Sequence, residues 1–214
     1  MARSRRDALN VFVNAPFDPA YDPLLEAMVF MIHAAGFRAR CALEENDSGD
    51  IRLDKLVRLI DESPRSIHDL SRTKPVSLQA SELPRFNMPF ELGLCMGARR
   101  FSTSHRYDKI KIMVSEPYKL PEYLSDLGGN DPDAHHEDPH RVLMIVRDFL
   151  QGSRRGKPLP GRTALVAAFD RFKRAIPRIA EAIEHGAGEI GVRRNFPTFV
   201  WCLTEFLKGA GTRR

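Results

Sequence analysis

The chain has 214 residues, 43% of them hydrophobic, and a formal net charge of +5. That length suits one ordinary domain with an appendage, or two small domains, and the apolar fraction is enough to bury a core, which excludes global disorder. No stretch approaches the roughly 20 apolar residues that span a bilayer. The apolar run behind the arginine-bearing start, Val11 to Val13, is too short for the core of a signal peptide. The expectation is a cytoplasmic protein with no membrane partner.

Three cysteines, Cys41, Cys95 and Cys202, lie far apart among apolar neighbours. An odd, unpaired set argues against a disulfide framework and against structural zinc, and reads as small buried hydrophobes. Charge is unevenly spread: residues 1–150 carry 20 Lys/Arg against 23 Asp/Glu, and residues 151–214 carry 13 against 5. The basic C-terminal part is either a solvated helix face or a contact for an acidic protein or nucleic acid.

In chain order, residues 9–13 (LNVFV) form a short β-rich run and predict a first strand, closed by the loop signal Asn14-Ala-Pro-Phe-Asp18. Leu24, Leu25, Met28, Val29, Ile32 and Ala35 repeat at helical spacing over 21–35, and Gly36 stands where such a helix ends. Residues 37–43 predict a second strand, followed by an acidic loop, 44–50. Residues 51–62 read as an amphipathic helix broken by Ser63-Pro64, and 65–70 as a third strand. The stretch 71–85 is long and polar with two prolines, as functional or mobile loops are. A third helix is predicted over 89–100 with Asn87 as N-cap, and a fourth strand over 109–114. Residues 119–127 and 138–150 look helical, with room for a short edge strand in 128–137.

Strands alternating with helices at this spacing predict right-handed crossovers and a parallel sheet. The expected fold is α/β, a flavodoxin-like doubly wound sheet of four to five strands over residues 1–150. A linker rich in Gly, Pro, Arg and Lys then leads to a basic C-terminal helical hairpin, with helices over 163–185 and 196–208.

In an open parallel sheet, ligands bind outside the carboxyl ends of the strands. The polar residues expected at that edge are Asn14, Phe17 and Asp18 after the first strand, Glu44 with its acidic neighbours after the second, Asp69 and Ser71 after the third, and Glu91 in the first turn of the third helix. Glu91 sits in a segment apolar on nearly every side. It either gains about 0.3–1 kcal/mol from the helix macrodipole or occupies a partly dry pocket. Gly93 and Gly97 cost that helix roughly 1 kcal/mol each, which a close ligand or tight packing against the sheet would explain. Asp69 could accept sugar hydroxyls or cap a turn. The chain carries no GxGxxG, Walker or GxSxG motif. His135, His136 and His140 lack spaced partners for a metal. The first strand ends without the acidic pair of a receiver domain.

Residues 11–18 (VFVNAPFD) resemble the opening of bacterial TIR-like proteins, and 65–71 (RSIHDLS) their third-strand Asp-Leu-Ser motif. Residues 87–94 (NMPFELGL) resemble the Glu-Leu-Gly helix shared by TIR-like NAD-cleaving domains and nucleoside 2-deoxyribosyltransferases. The resemblance covers about residues 9–150. It implies a nucleosidase that cleaves a ribosyl N-glycosidic bond in NAD or a related nucleotide, with a role in bacterial defence. It makes Glu91 and Asp69 the catalytic pair, and Asn14, Phe17, Asp18, Glu44, Ser71 and Asn87 candidates for binding substrate. NAD would be consumed as substrate, with no redox cofactor and no metal, and the active form would be a homo-oligomer. The interval from Asp69 to Glu91 is longer than the family pattern, with Thr73 to Arg85 inserted. The rival reading is a non-catalytic nucleotide-binding or signalling module whose hairpin meets a partner.

Overall fold

The computed structural model describes residues 6–45, 47–72, 86–117, 122–153 and 157–211. In chain order the elements are strand β1 (Asn10–Asn14), helix α1 (Asp22–Ala34), β2 (Arg38–Arg40), α2 (Arg52–Asp61), β3 (Arg65–Asp69), α3 (Asn87–Phe101), β4 (Lys109–Val114), β5 (Asp133–Ala134), α4 (Pro139–Gln151), α5 (Arg162–Ala182) and α6 (Phe196–Gly211). They fall into two compact units. The first holds Met1–Pro16, Arg38–Ala42 and Asp47–Glu137, and the second Phe17–Phe37, Leu43–Asn46 and Asp138–Arg214. This partition differs from a break after residue 150, because α1 and α4 group with the C-terminal helices.

The first unit is a five-stranded sheet in the order β2-β1-β3-β4-β5, every neighbouring pair parallel. That is the flavodoxin-like doubly wound order, with its switch point between β1 and β3. The register sets Asn14 beside His68, Asp69 beside Met113 and Val114 beside Ala134. Because side chains alternate along a strand, Phe12, Asn14, Ser66, His68 and Ile112 share one face, and Val13, Ile67, Asp69, Met113 and Asp133 share the other. Helices α2 and α3 cover the first of these faces. Leu56, Leu59, Ile60 and Cys95 pack on Phe12, while Met88 and Leu92 pack on Leu70, Ile112 and Val114.

The expected second strand shrinks to three residues for a local reason. Gly36 adopts φ 82°, its N–H bonds the His33 carbonyl, and the Phe37 N–H bonds the Ile32 carbonyl. This is the Schellman closure of α1, so Phe37 finishes a helix and does not begin a strand. At the outer edge of the sheet Arg38 pairs with Asp7 (2.8 Å) and Arg40 with Glu62 (2.9 Å). The expected helix over 119–127 is a 3₁₀ segment, Glu122–Leu127, and the short edge strand is β5. Phe86 takes the N-cap position of α3, and Asn87 is its first residue. The polar interval from residue 73 to 85 lies outside the described residues.

The second unit is helical. Phe30 of α1 meets Phe169 (5.3 Å between centroids) and Phe172 (5.8 Å) of α5, and Phe172 meets Phe199 (5.5 Å) of α6. Lys173 pairs with Glu26, and Arg193 holds Asp22 through two bonds of 2.9 and 3.3 Å. No described helix is long and apolar enough to cross a membrane.

Candidate functional site

Glu91 is buried, 4% exposed, in the second turn of α3 and not the first. Its neighbours at helical spacing explain the position. Met88, Leu92 and Cys95 form the apolar stripe that docks α3 on the sheet, and Glu91 falls within that stripe. Burial pushes its carboxyl up to about 7, against the opposing pull of the Arg52 charge and a hydrogen bond from the Asn87 side chain. A carboxyl poised near neutrality can exchange its proton or carry charge at cellular pH, as general acids and bases do. One helical turn on, burial holds the Cys95 thiol up at about 12, so it stays protonated.

The switch point lies beside this carboxyl on the same face. The Asn14 amide donates to the Met88 carbonyl (2.8 Å) and to Nδ1 of His68 (3.0 Å), tying β1 to β3 and to the start of α3. His68 is fully buried, and burial alone lowers its pKa to about 3, so the ring is neutral. With Nδ1 accepting, the ring proton sits on Nε2, which has no hydrogen-bond partner among the described residues. A buried unsatisfied donor of this kind costs about 1–3 kcal/mol.

Asp69 belongs to the other face of the sheet. It is fully buried, with Oδ1 accepting from the Ser71 backbone N–H (2.8 Å) and from the Ser71 hydroxyl, and Oδ2 lying 2.9 Å from Nε2 of His135. His135 is also fully buried, just past β5, and its Nε2 lies 2.7 Å from Ser71 Oγ. The Glu137 backbone N–H donates to His135 Nδ1 (3.0 Å). In the neutral ring the proton therefore sits on Nε2 and points at Asp69. Ser71, His135 and Asp69 thus form a Ser-His-Asp cluster without the wiring of a nucleophilic triad. The basic ring nitrogen is taken by backbone, and the serine proton goes to the aspartate. His136 and Glu137 both adopt left-handed φ angles, 52° and 57°, strained for residues other than glycine. Arg72 clamps Glu137 through bonds of 3.1 and 3.0 Å, holding this turn against Ser71.

The structure therefore brings Asn14, Asn87 and Glu91 onto one side of the sheet and Asp69 with Ser71 onto the other; Asp69 and Glu91 project from opposite faces. Phe17, Asp18 and Glu44 belong to the second unit, where Asp18 caps the 3₁₀ turn Pro19–Tyr21 by accepting the Tyr21 N–H (3.0 Å). Sequence reasoning missed Arg52, His68 and the bond from His135 to Asp69. The last joins residues 66 positions apart, which no local pattern reveals. Among the described residues no group of three or more His, Cys, Asp or Glu is arranged to hold a metal.

Fold and site together define a flavodoxin-like doubly wound α/β protein with a buried carboxyl of raised pKa beside its switch point. No protein-family model, curated protein or solved structure matches the chain.

Proposed function

We propose that the chain is an N-glycosidase that cleaves the ribosyl bond of NAD or a related nucleotide, with Glu91 as the catalytic carboxylate. The observation that carries the reading is the placement of Glu91, buried on α3 beside the Asn14–His68 bridge, with Asn87 and the Arg52 charge at its carboxyl. The Glu-Leu-Gly and Asp-Leu-Ser motifs supply the link to N-glycoside chemistry. Breaking the bond builds positive charge on the sugar ring, which a fixed carboxylate in a dry site stabilises. With NAD the bonding electron pair leaves with the pyridinium ring as neutral nicotinamide. Water adds to the anomeric carbon and releases a proton. Asn14 and Asn87 are the polar side chains on that face for orienting the substrate. Asp69, on the opposite face of the sheet, enters this reading only by holding the end of β3 through Ser71 and His135. The active form in this reading is a homo-oligomer in the cytoplasm, serving bacterial defence. On α5, Arg171, Arg174 and Arg178 share one exposed face, which supports an acidic protein or nucleic-acid partner for the C-terminal helices.

The engagement of both Asp69 oxygens favours a second reading, a non-catalytic nucleotide-binding or signalling module. Concentrated protein incubated with NAD, beside Glu91→Gln, separates the two. Free nicotinamide from wild type alone is the expected result, with the rate rising as pH passes through about 7 and Glu91 ionises. Equal product from both proteins removes Glu91 from the chemistry. No product from either, with NAD still raising the melting temperature, leaves the binding module.

A further inference from the structure

A cleft of about 950 Å³ opens at the far end of α3, lined by the last turn of that helix, the segment that follows it, and β4. Its lining on α3 runs from Met96 to Phe101, which at 1.5 Å per residue starts roughly 8 Å along the helix axis from Glu91 and puts Arg100 roughly 14 Å away. The cleft has a topological cause. Parallel strands are usually joined by a crossover helix that covers the sheet. Here the connection from β4 to β5 contains the 3₁₀ segment Glu122–Leu127, and Ile110 of β4 remains half-buried at the cleft floor beside Ile112.

Three arginines, Arg99, Arg100 and Arg106, line this space, and among the described residues no acidic one does. Among the described residues none of the three has a carboxylate partner, whereas Arg6, Arg38, Arg40, Arg58 and Arg72 of the same unit are all ion-paired. The helix macrodipole accounts for Arg99 and Arg100 in the last turn of α3. It does not account for Arg106, which lies beyond the helix with its guanidinium 5.8 Å from the Tyr107 ring. Three exposed guanidiniums around one concavity make it electropositive and attract an anion. The Ser102 and Thr103 hydroxyls and the Asn130 amide add neutral donors. Met96, Ile110 and Ile112 give an apolar floor, and Phe101 stands at the cleft with 87% of its surface exposed.

We propose that this cleft is a binding site for a nucleoside polyphosphate, distinct from the Glu91 site and independent of that reading. Arginine forks match phosphate oxygens in pairs. An apolar floor and an uncovered aromatic ring suit a flat base. The volume is that of a small-ligand pocket. With no carboxylate among the described lining residues, the phosphates are held by the guanidiniums without a bridging metal ion.

The test is calorimetric titration of the full chain with ADP at low salt in the presence of EDTA, with adenosine, tripolyphosphate and a single-stranded oligonucleotide as comparison probes. The variants are Arg100→Gln/Arg106→Gln, both exposed and outside the core, and Glu91→Gln. ADP binds wild type and Glu91→Gln alike, and at least about tenfold more weakly to the double arginine variant. Unfolding in urea checks that this variant retains wild-type stability. Absence of ADP binding, or equal binding by the double variant, overturns the proposal. Tripolyphosphate binding as tightly as ADP overturns the base contact. An oligonucleotide that binds far more tightly than ADP assigns the cleft to nucleic acid instead.

Discussion

Glu91→Gln tests the energetics of the buried carboxyl apart from any activity. The side chain keeps its shape and its acceptor for Asn87 but cannot ionise. In the folded chain the carboxyl titrates near 7, against an ordinary value of 4.5. Below pH 4.5 the group is protonated in both folded and unfolded chains and has no effect on their balance. As pH rises from 4.5 toward 7 the unfolded chain gives up this proton first, so the folded state binds more protons and stability falls with pH. At about 1.4 kcal/mol per pH unit, the loss accumulates to about 3 kcal/mol by pH 8. Glu91→Gln escapes it. Urea unfolding at pH 4, 5, 6, 7 and 8 therefore shows a variant equal to wild type at pH 4 and more stable by about 3 kcal/mol at pH 8. A gain that does not change with pH, or a variant less stable than wild type at pH 8, would refute the placement of Glu91 in a dry, weakly compensated environment.

Asp69→Asn behaves in the opposite way. The amide can accept from only one of its two neighbours and turns its own N–H toward the other, inside a cluster that is fully buried at Asp69 and His135. The expected loss is about 2–4 kcal/mol in urea unfolding, and a loss under about 0.5 kcal/mol would show that the cluster does not hold β3 to β5. Any nicotinamide release falls together with stability in Asp69→Asn, whereas in Glu91→Gln it falls while stability rises. Gly93 and Gly97 have open space where a Cβ would go and ordinary helical backbone. Alanine at either position should stabilise the chain by about 0.5–1 kcal/mol. A clear loss of stability at either would mean that something packs closely against that face of α3.

The glycines show what local reading leaves open. Two glycines inside a helix suggested a close ligand or tight packing against the sheet; Gly93 lies on the exposed side of α3, and among the described residues neither glycine has a neighbour at its Cβ position, which removes the packing explanation. Composition reports the missing side chain but not the direction it would have pointed. Elements whose signal lies in a few consecutive residues were legible. Strand β4 spans the residues its apolar run predicts, the closure of α1 falls at Gly36, and the amphipathic pattern of 51–62 yields α2 with Leu56, Leu59 and Ile60 inward.

The sequence by itself determined an alternation of strands and helices, and hence a parallel α/β sheet, because strand and helix periodicities are written in adjacent residues and parallel strands need crossovers. It also marked Glu91 as an acid in apolar surroundings. Only the tertiary structure decided which neighbours those residues meet. The pleat sends Asp69 and His68, adjacent in the chain, to opposite faces, and the sheet order brings His135 to Asp69 across 66 positions. The connection after β4, which carries the 3₁₀ segment Glu122–Leu127, borders a cleft with three arginines around it. Strand parity and long-range pairing are set by which packing buries the most apolar surface across the whole chain, and no window of sequence contains that balance.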